Sequence, residues 1–426
     1  MKIAIIGSGI AGMTCAHLLH EQHDVQLFEK NDYIGGHTRT VEVVVQGKTY
    51  AIDTGFIVFN DRTYPNFRAL MRKIGVQWRD TEMSFSVRDP ATGLEYNGHS
   101  LNTLFAQRKN LLKPSFYRLL SGIVKFNKQA KAAHAQGLGS NQQTLGEFLA
   151  QQKLSQDVAD LYLLPMVAAI WSASIDDAAD FPLDFFLRFF ENHGLLNVSD
   201  RPQWATIMGG SSAYIEPLIG HLGDRIHSNC DIAKVHRNMA HREGNITLEF
   251  GNGELQDFDE VIFACHSDQA LALLADPSAE EQQVLGAIPY QDNDVVLHTD
   301  IRLLPRARRA WASWNYLLHH GDDARTRPSS VTYDMNILQG IDAPETFCVT
   351  LNNTDAIQPE RILRRFTYAH PVYSVASMAA RQCRSEICGQ QHTHFCGAYW
   401  YNGFHEDGVR SALDVTQRLG VKWHAE

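Results

Sequence analysis

Gly7-Ser8-Gly9-Ile10-Ala11-Gly12 has the spacing GxGxxG, and an acid, Glu29, stands seventeen residues beyond its last glycine. These residue types at this spacing suit a dinucleotide. Gly7 allows a tight turn, Gly9 lets backbone approach a diphosphate, and Gly12 lets a helix lie close on a strand. Glu29 accepts hydrogen bonds from an unphosphorylated ribose. The elements that must position them are legible on either side. The apolar run Lys2–Ile6 reads as a strand, Met13–Gln22 as a helix, and Val25–Phe28 as a second strand ending on Glu29 and Lys30. A helix beginning at the glycines turns free N–H groups and a partial positive charge toward the diphosphate. A second glycine turn follows, Gly35-Gly36-His37-Thr38-Arg39-Thr40. After a hairpin-like stretch (Val41–Ile52) comes Asp53-Thr54-Gly55-Phe56.

In this order the motifs resemble those of the FAD-dependent amine oxidase and phytoene desaturase superfamily. The resemblance runs to the far end of the chain. Gly209-Gly210-Ser211-Ser212-Ala213-Tyr214-Ile215 resembles the superfamily's glycine turn into a helix, and Asp231–Val235 its adenine-contacting strand, with Val235 at the contact. Phe258–Ala264 resembles the strand that returns beneath the cofactor. Phe395-Cys396-Gly397 and His405-Glu406-Asp407-Gly408-Val409 resemble the C-terminal flavin motif and its helix. Within the superfamily the chain is similar to a bacterial group of FAD-binding amine-oxidase-like proteins, and to the N-terminal part of plant cyclopropane fatty acid synthases. The resemblance implies an α/β protein, with a Rossmann-like FAD-binding domain interleaved with an α+β substrate domain. FAD-domain pieces are expected over 1–85, 203–270 and 381–426, and substrate-domain pieces over 86–202 and 271–380.

Composition fits that organisation. A chain of 426 residues is too long for one ordinary core. Seven irregularly spaced cysteines with no CxxC pair read as reduced thiols of a cytoplasmic protein. The first strand follows Met1 directly, which leaves no room for a signal peptide. The longest apolar run, Leu161–Ile175, is too short to span a bilayer and reads as a buried helix. His392, His394 and Cys396 alternate but find no fourth ligand nearby, so no metal is expected. The first insertion reads as helical, with a phenylalanine-rich segment at Phe181–Leu196. The second reads as a helix (Asp268–Ala275) and then strands at Asp294–Ile301, Ser330–Tyr333 and Phe347–Leu351.

The formal charge of −10 hides an asymmetry: between Leu101 and Gly146 there is no acid, while Arg108, Lys109, Lys113, Arg118, Lys125, Lys128 and Lys131 are interleaved with apolar residues. Such a basic amphipathic stretch suits peripheral contact with anionic membrane, or else it is a solvated helical face. No nucleic-acid partner is expected, and the oligomeric state is open.

Only one nucleotide signature is present, so electrons are expected to enter from the substrate and leave to oxygen, a quinone or another acceptor. By resemblance, the backbone at Asp407-Gly408-Val409 stabilises negative charge on the flavin, which is held non-covalently, since Cys396 precedes Gly397 inside a strand. Candidate catalytic residues are His298, close to the place where amine oxidases carry a lysine, with Tyr399, Trp400 and His405. Tyr399, Trp400 and Tyr401 stand where the superfamily forms an aromatic cage; His370 is a further candidate. No lysine occurs between Lys234 and Lys422, a departure from many amine oxidases. The expected activity is therefore an FAD-dependent oxidoreductase acting on a lipid-like substrate. The alternatives are an oxidase of a small amine or polyamine, and a non-catalytic FAD-binding partner of a lipid-modifying enzyme.

Overall fold

The computed structural model describes residues 1–137, 143–152, 154–197, 200–240 and 244–423. The chain opens with β1 (Lys2–Ile6), α1 (Ile10–Leu19) and β2 (Asp24–Phe28), then the hairpin β3 (Thr40–Val45) and β4 (Lys48–Asp53). Strands β5 (Phe85–Asp89) and β6 (Leu94–Asn97) precede a helical region containing α2 (Pro114–Ala135), α3 (Leu164–Trp171) and α4 (Leu183–Asn192). Next come β7 (Ile226–His227), β8 (Ile232–Arg237) and β9 (Glu260–Phe263), followed by β10 (Tyr290–His298), β11 (Trp314–Leu317), β12 (Ser330–Asp334), β13 (Cys348–Leu351) and β14 (Ile362–Pro371). The closing elements are α5 (Val375–Gln382), β15 (Thr393–Phe395) and α6 (His405–Arg418).

Strands β7–β2–β1–β9–β15 form a parallel sheet in that order. A parallel sheet is covered on both faces, so its central strands are apolar throughout; Ile3, Ala4, Ile5, Val261, Ile262 and Phe263 are wholly buried. Helix α1 is buried along almost its whole length because α6 packs over it. Small residues permit that approach: a Cβ at Gly408 would stand 2.6 Å from Ile10 Cγ2.

The second layer is a seven-stranded sheet, β14–β10–β13–β12–β11–β5–β6. The period of two sends Val295, Leu297, Val331, Tyr333, Val349 and Leu351 into a core shared with α3, α4 and the inner face of α2. The opposite face carries Val296, in a small outer cluster with Leu303 and Ile357.

Two expectations change here. The first insertion begins with strands rather than helices, because β5 finds a parallel partner in β11, more than two hundred residues later. The apolar run Leu161–Ile175 is not one helix: α3 ends at Trp171, and Ser172 takes a left-handed φ of 55° before a new helix starts at Ile175.

Candidate flavin and substrate site

Gly7 has φ of +106°, and a Cβ there would meet the Ala264 carbonyl carbon at 2.9 Å. A Cβ on Gly12 would stand 1.9 Å from the Gly7 carbonyl oxygen. Gly9 is different: it sits at φ −66°, ψ 176° as the N-cap of α1, and nothing lies within 4 Å of its Cβ direction. The fold itself therefore needs Gly7 and Gly12, while Gly9 keeps space open in front of the N–H groups of Ile10, Ala11 and Gly12. Glu29 closes one side, its carboxylate accepting from Ser8 N at 3.0 Å and Ser8 Oγ at 2.6 Å, and from Asn31 N and Nδ2. Lys30 beside it is exposed.

The second glycine turn docks on the first. Gly35 N–H donates to Ser8 Oγ at 3.1 Å, and a Cβ on Gly36 would lie 3.2 Å from Gly9 Cα. His37 follows, its carbonyl accepting from Phe56 N–H at 2.8 Å and lying so close to Gly55 that only glycine fits. Thr38 is buried and bonds both Tyr214 Oη and His405 Nε2, the latter at 2.9 Å. The His405 ring stacks on Phe56, centroids 3.6 Å apart. Arg39 lays its guanidinium over Tyr33 and Phe366, and Thr54 bonds Tyr368 Oη at 2.9 Å. Beneath, Asp53 Oδ1 accepts from Thr40 Oγ1, Ser211 N and Ser211 Oγ, tying β4 to the Gly209-Gly210 turn.

Histidines crowd the open side. The His37 ring lies 5.4 Å from His370 and 6.0 Å from His266, and His266 stacks on Tyr290 at 4.3 Å. Burial pushes the pKa of His37 and of His266 down to about 4 and that of His370 to about 3. Burial also takes His405 well below its ordinary value. All four are neutral imidazoles at pH 7.

At the far end, Gly397 has φ of +152° and donates its N–H to Ser411 Oγ at 2.8 Å. The start of α6 differs from expectation. Gly408 N–H is already bonded to Phe404 O, and Val409 lies inside the helix with its side chain in the core. The N–H groups without an intrahelical acceptor are those of His405, Glu406 and Asp407. Gly408 serves the close contact with Ile10. Burial raises the Asp407 carboxyl to about 7.

Four expected site residues are wholly or almost wholly buried. His298 is wholly buried at the end of β10, bonding Thr350 Oγ1 at 2.7 Å and accepting from Asp300 N at 3.0 Å. Eight residues of strand separate it from Tyr290, on the order of 25 Å at the usual rise. Its bond to Thr350, whose neighbours Val349 and Leu351 enter the helical core, places it on the outward face of the sheet. Val235 is also wholly buried, with its carbonyl bonded to Ala275 N; the stretch beside Glu29 is Asn229–Cys230, where Cys230 N–H donates to Glu29 O. Tyr399 and Trp400 pack into the core of the parallel-sheet domain, with the Tyr399 ring edge-on to Tyr290 at 6.5 Å.

The aromatic wall is built instead by the second domain, with Phe404. Trp171 lies 4.9, 5.3 and 4.6 Å from Phe181, Phe185 and Phe189; Tyr373 stacks on Phe185 at 5.0 Å, and Phe404 on Phe189 at 5.3 Å. Trp171, Phe181, His370 and Tyr373 line a cavity of about 10 Å³, room for one water. Over the Tyr373 ring, 4.0 Å from its centroid, lies the Arg381 guanidinium. Sequence reasoning missed Tyr373, Phe404 and Arg381, because no local motif marks them and distant segments bring them together.

The residues present fit FAD. Free helix N–H groups stand beside an unobstructed Gly9, and His37 Nε2, next to the second glycine turn, is a buried polar atom without a partner. Cys396 points the other way, its thiol 3.9 Å from that of Cys15 in the core, so it offers no thioether.

A parallel-sheet dinucleotide domain joined to an aromatic-walled domain with a mixed-sheet floor defines a flavoprotein oxidoreductase. The flavin-containing amine oxidoreductase family matches residues 10–335, and the chain belongs to that family. It is an FAD-dependent oxidoreductase. Over 76 residues, 18% of this chain, it is 41% identical to the zeta-carotene desaturase of Zea mays, and the match spans 13% of that protein's length. The fold is shared with a fatty acid isomerase from P. acnes (TM-score 0.68, 15% identity, 98% of each chain). Putrescine oxidase shares it as well (TM-score 0.70, 13% identity, 99% of each chain).

Proposed function

We propose that this enzyme oxidises a lipid-like substrate, an unsaturated or modified acyl chain, at the aromatic wall. The carrying observation is the aromatic cluster itself: Trp171, Phe181, Phe185, Phe189, Tyr373 and Phe404 pack together, Phe404 directly precedes His405, and the Arg381 guanidinium lies over Tyr373. The family resemblance to desaturases, and the fold shared with an isomerase of fatty acids, support the same substrate class.

Bound FAD supplies hydride acceptance. The protein's own part is to hold the diphosphate at the Gly9 turn, and to present the N–H groups of His405, Glu406 and Asp407 to developing negative charge. The aromatic wall excludes water, and His405 is kept neutral and fixed by Thr38.

Peripheral contact with anionic membrane belongs to this reading. Leu112 is 88% exposed and Leu101 77%, and Leu111, Tyr117 and Val124 are exposed as well. Arg108, Lys109, Lys113, Arg118, Lys125 and Lys128 stand exposed among them, and none of the six makes an ion pair among the described residues. The fold adds a second basic patch, since Arg308 and Arg309 pack beside Leu101–Leu104. Among the described residues, no helix is long and apolar enough to cross a membrane.

The test is anaerobic incubation of the FAD-loaded protein with unsaturated acyl lipids in vesicles, and separately with amines, following flavin absorbance. Bleaching by lipid is expected, and bleaching by amines alone would sink the reading. Cosedimentation with phosphatidylglycerol vesicles should fall sharply in Lys113→Gln/Arg118→Gln/Lys125→Gln/Lys128→Gln. Unchanged binding would remove the surface contact.

A further inference from the structure

Arg381 sits on α5 with 6% of its surface exposed. A guanidinium carries five N–H donors and cannot be neutralised by losing a proton at ordinary pH. One Nη1 donor of Arg381 finds Met378 Sδ at 2.9 Å, while Nε and Nη2 are buried with no acceptor. It makes no ion pair among the described residues. Two other inward arginines are treated differently. Arg237 is held by Glu281 and Asp276, and Arg384 by Asp414 and the carbonyls of Phe395 and Ser411. A buried cation without counter-charge costs far more than its packing returns. Its retention here points to a partner that arrives from outside the chain.

Its surroundings say where that partner sits. Arg381 lies over Tyr373, the wall residue stacked on Phe185, and the Tyr373 hydroxyl is likewise buried without a partner. Asp407, at the head of α6, acts on the Arg381 charge without forming an ion pair with it, and its carboxylate accepts from Phe404 N–H at 2.9 Å.

We propose that Arg381, assisted by Tyr373 Oη, binds the anionic head group of the substrate, the carboxylate of a chain-like organic acid whose hydrocarbon part lies along the aromatic wall. A planar guanidinium offers a carboxylate two parallel hydrogen bonds and fixes its orientation. The tail is thereby held in register with the flavin. This site rests on the reading of the wall as one for a lipid-like substrate, and it deepens that reading to an acid rather than an ester, an alcohol or an amine.

The test uses the FAD-loaded protein, with laurate, methyl laurate, dodecylamine and dodecyl phosphate as probes read by perturbation of the flavin spectrum. Laurate is expected to bind at least about tenfold more tightly than its methyl ester, as charge-assisted hydrogen bonds imply. Arg381→Met should reduce laurate binding to the level of the ester while leaving FAD content intact. Arg381→Lys should restore part of the difference. Without any probe, Arg381→Met should melt no lower than the native protein, because it removes an unpaired buried charge. Preference for dodecyl phosphate, again dependent on Arg381, would keep the anion site and name phosphate as its head group. Equal binding of laurate and methyl laurate in the native protein would overturn the proposal. So would an Arg381→Met protein with native laurate affinity and a shifted flavin midpoint potential, since the arginine would then serve the cofactor. Laurate that binds through Arg381 yet never reduces the flavin leaves this site standing and removes the oxidation reading.

Discussion

Replacing Gly9 and Gly12 separately by alanine tests whether the first turn is shaped by the fold or by its ligand. At Gly12 the added Cβ would stand 1.9 Å from the Gly7 carbonyl oxygen, where contacts under 3.0 Å do not occur, and the obstacle is backbone. Helix α1 must move away from β1, at a cost of about 1–3 kcal/mol by the usual penalty for overfilling a packed interior. At Gly9 the methyl group meets nothing within 4 Å, and φ −66°, ψ 176° is open to any residue. Gly9→Ala should therefore leave the FAD-free protein as stable as before, or raise its stability by about 0.4–1 kcal/mol through the stiffer unfolded chain. The same methyl group stands where a diphosphate would approach the N–H groups of α1. Losing one or two charge-assisted hydrogen bonds weakens FAD by about 10- to 100-fold. Thermal unfolding of FAD-stripped protein and a flavin fluorescence titration measure the two quantities independently. The reasoning is refuted if Gly9→Ala binds FAD as well as the native protein, or if Gly12→Ala melts like it.

Three further outcomes follow from buried groups. Burial raises the Asp53 carboxyl from its ordinary value near 3.8 to about 6, so the folded state holds the proton more tightly than the unfolded chain. Stability therefore falls as pH rises from about 4 through 6, and Asp53→Asn should remove on the order of 2–3 kcal/mol of that decline between pH 4 and 7. Parallel slopes in denaturant titrations of the two proteins would contradict this. Arg237→Met leaves Glu281 buried without its cation and should cost about 3–5 kcal/mol, most of it recovered in Arg237→Met/Glu281→Leu; equal losses in single and double variants would count against the pair. His298→Gln should lower stability by about 1–2 kcal/mol through its lost hydrogen bonds, with the flavin spectrum and FAD affinity unchanged. A disturbed spectrum would return His298 to the site.

The glycine turns are legible in the sequence because local geometry forces their residue type. Left-handed φ and close backbone approach leave no choice but glycine at Gly7 and Gly35, whatever the rest of the molecule does. His298 was misplaced because strand parity is invisible until the sheet's inner face is known. One residue along β10, Leu297 lies in the helical core while His298 faces outward. The surroundings of Tyr399 and Trp400 are hidden from the sequence for a similar reason. They adjoin a flavin motif in sequence, yet their rings turn into the parallel-sheet core, and the wall position falls to Phe404, a few residues later, and to Tyr373 on another segment.

The sequence by itself determined the cofactor domain, since a diphosphate turn is a short-range object: strand, glycines, helix and acid within thirty residues. It also exposed the charge asymmetry of 101–146, which needs only counting. What the tertiary structure alone decided is the substrate side. Aromatic residues from three distant segments become one wall, and an arginine with no sequence signature becomes a buried cation without an ion pair among the described residues. Burial and the absence of a partner are properties of the packed chain, set by contacts between residues hundreds of positions apart, and no local pattern encodes them.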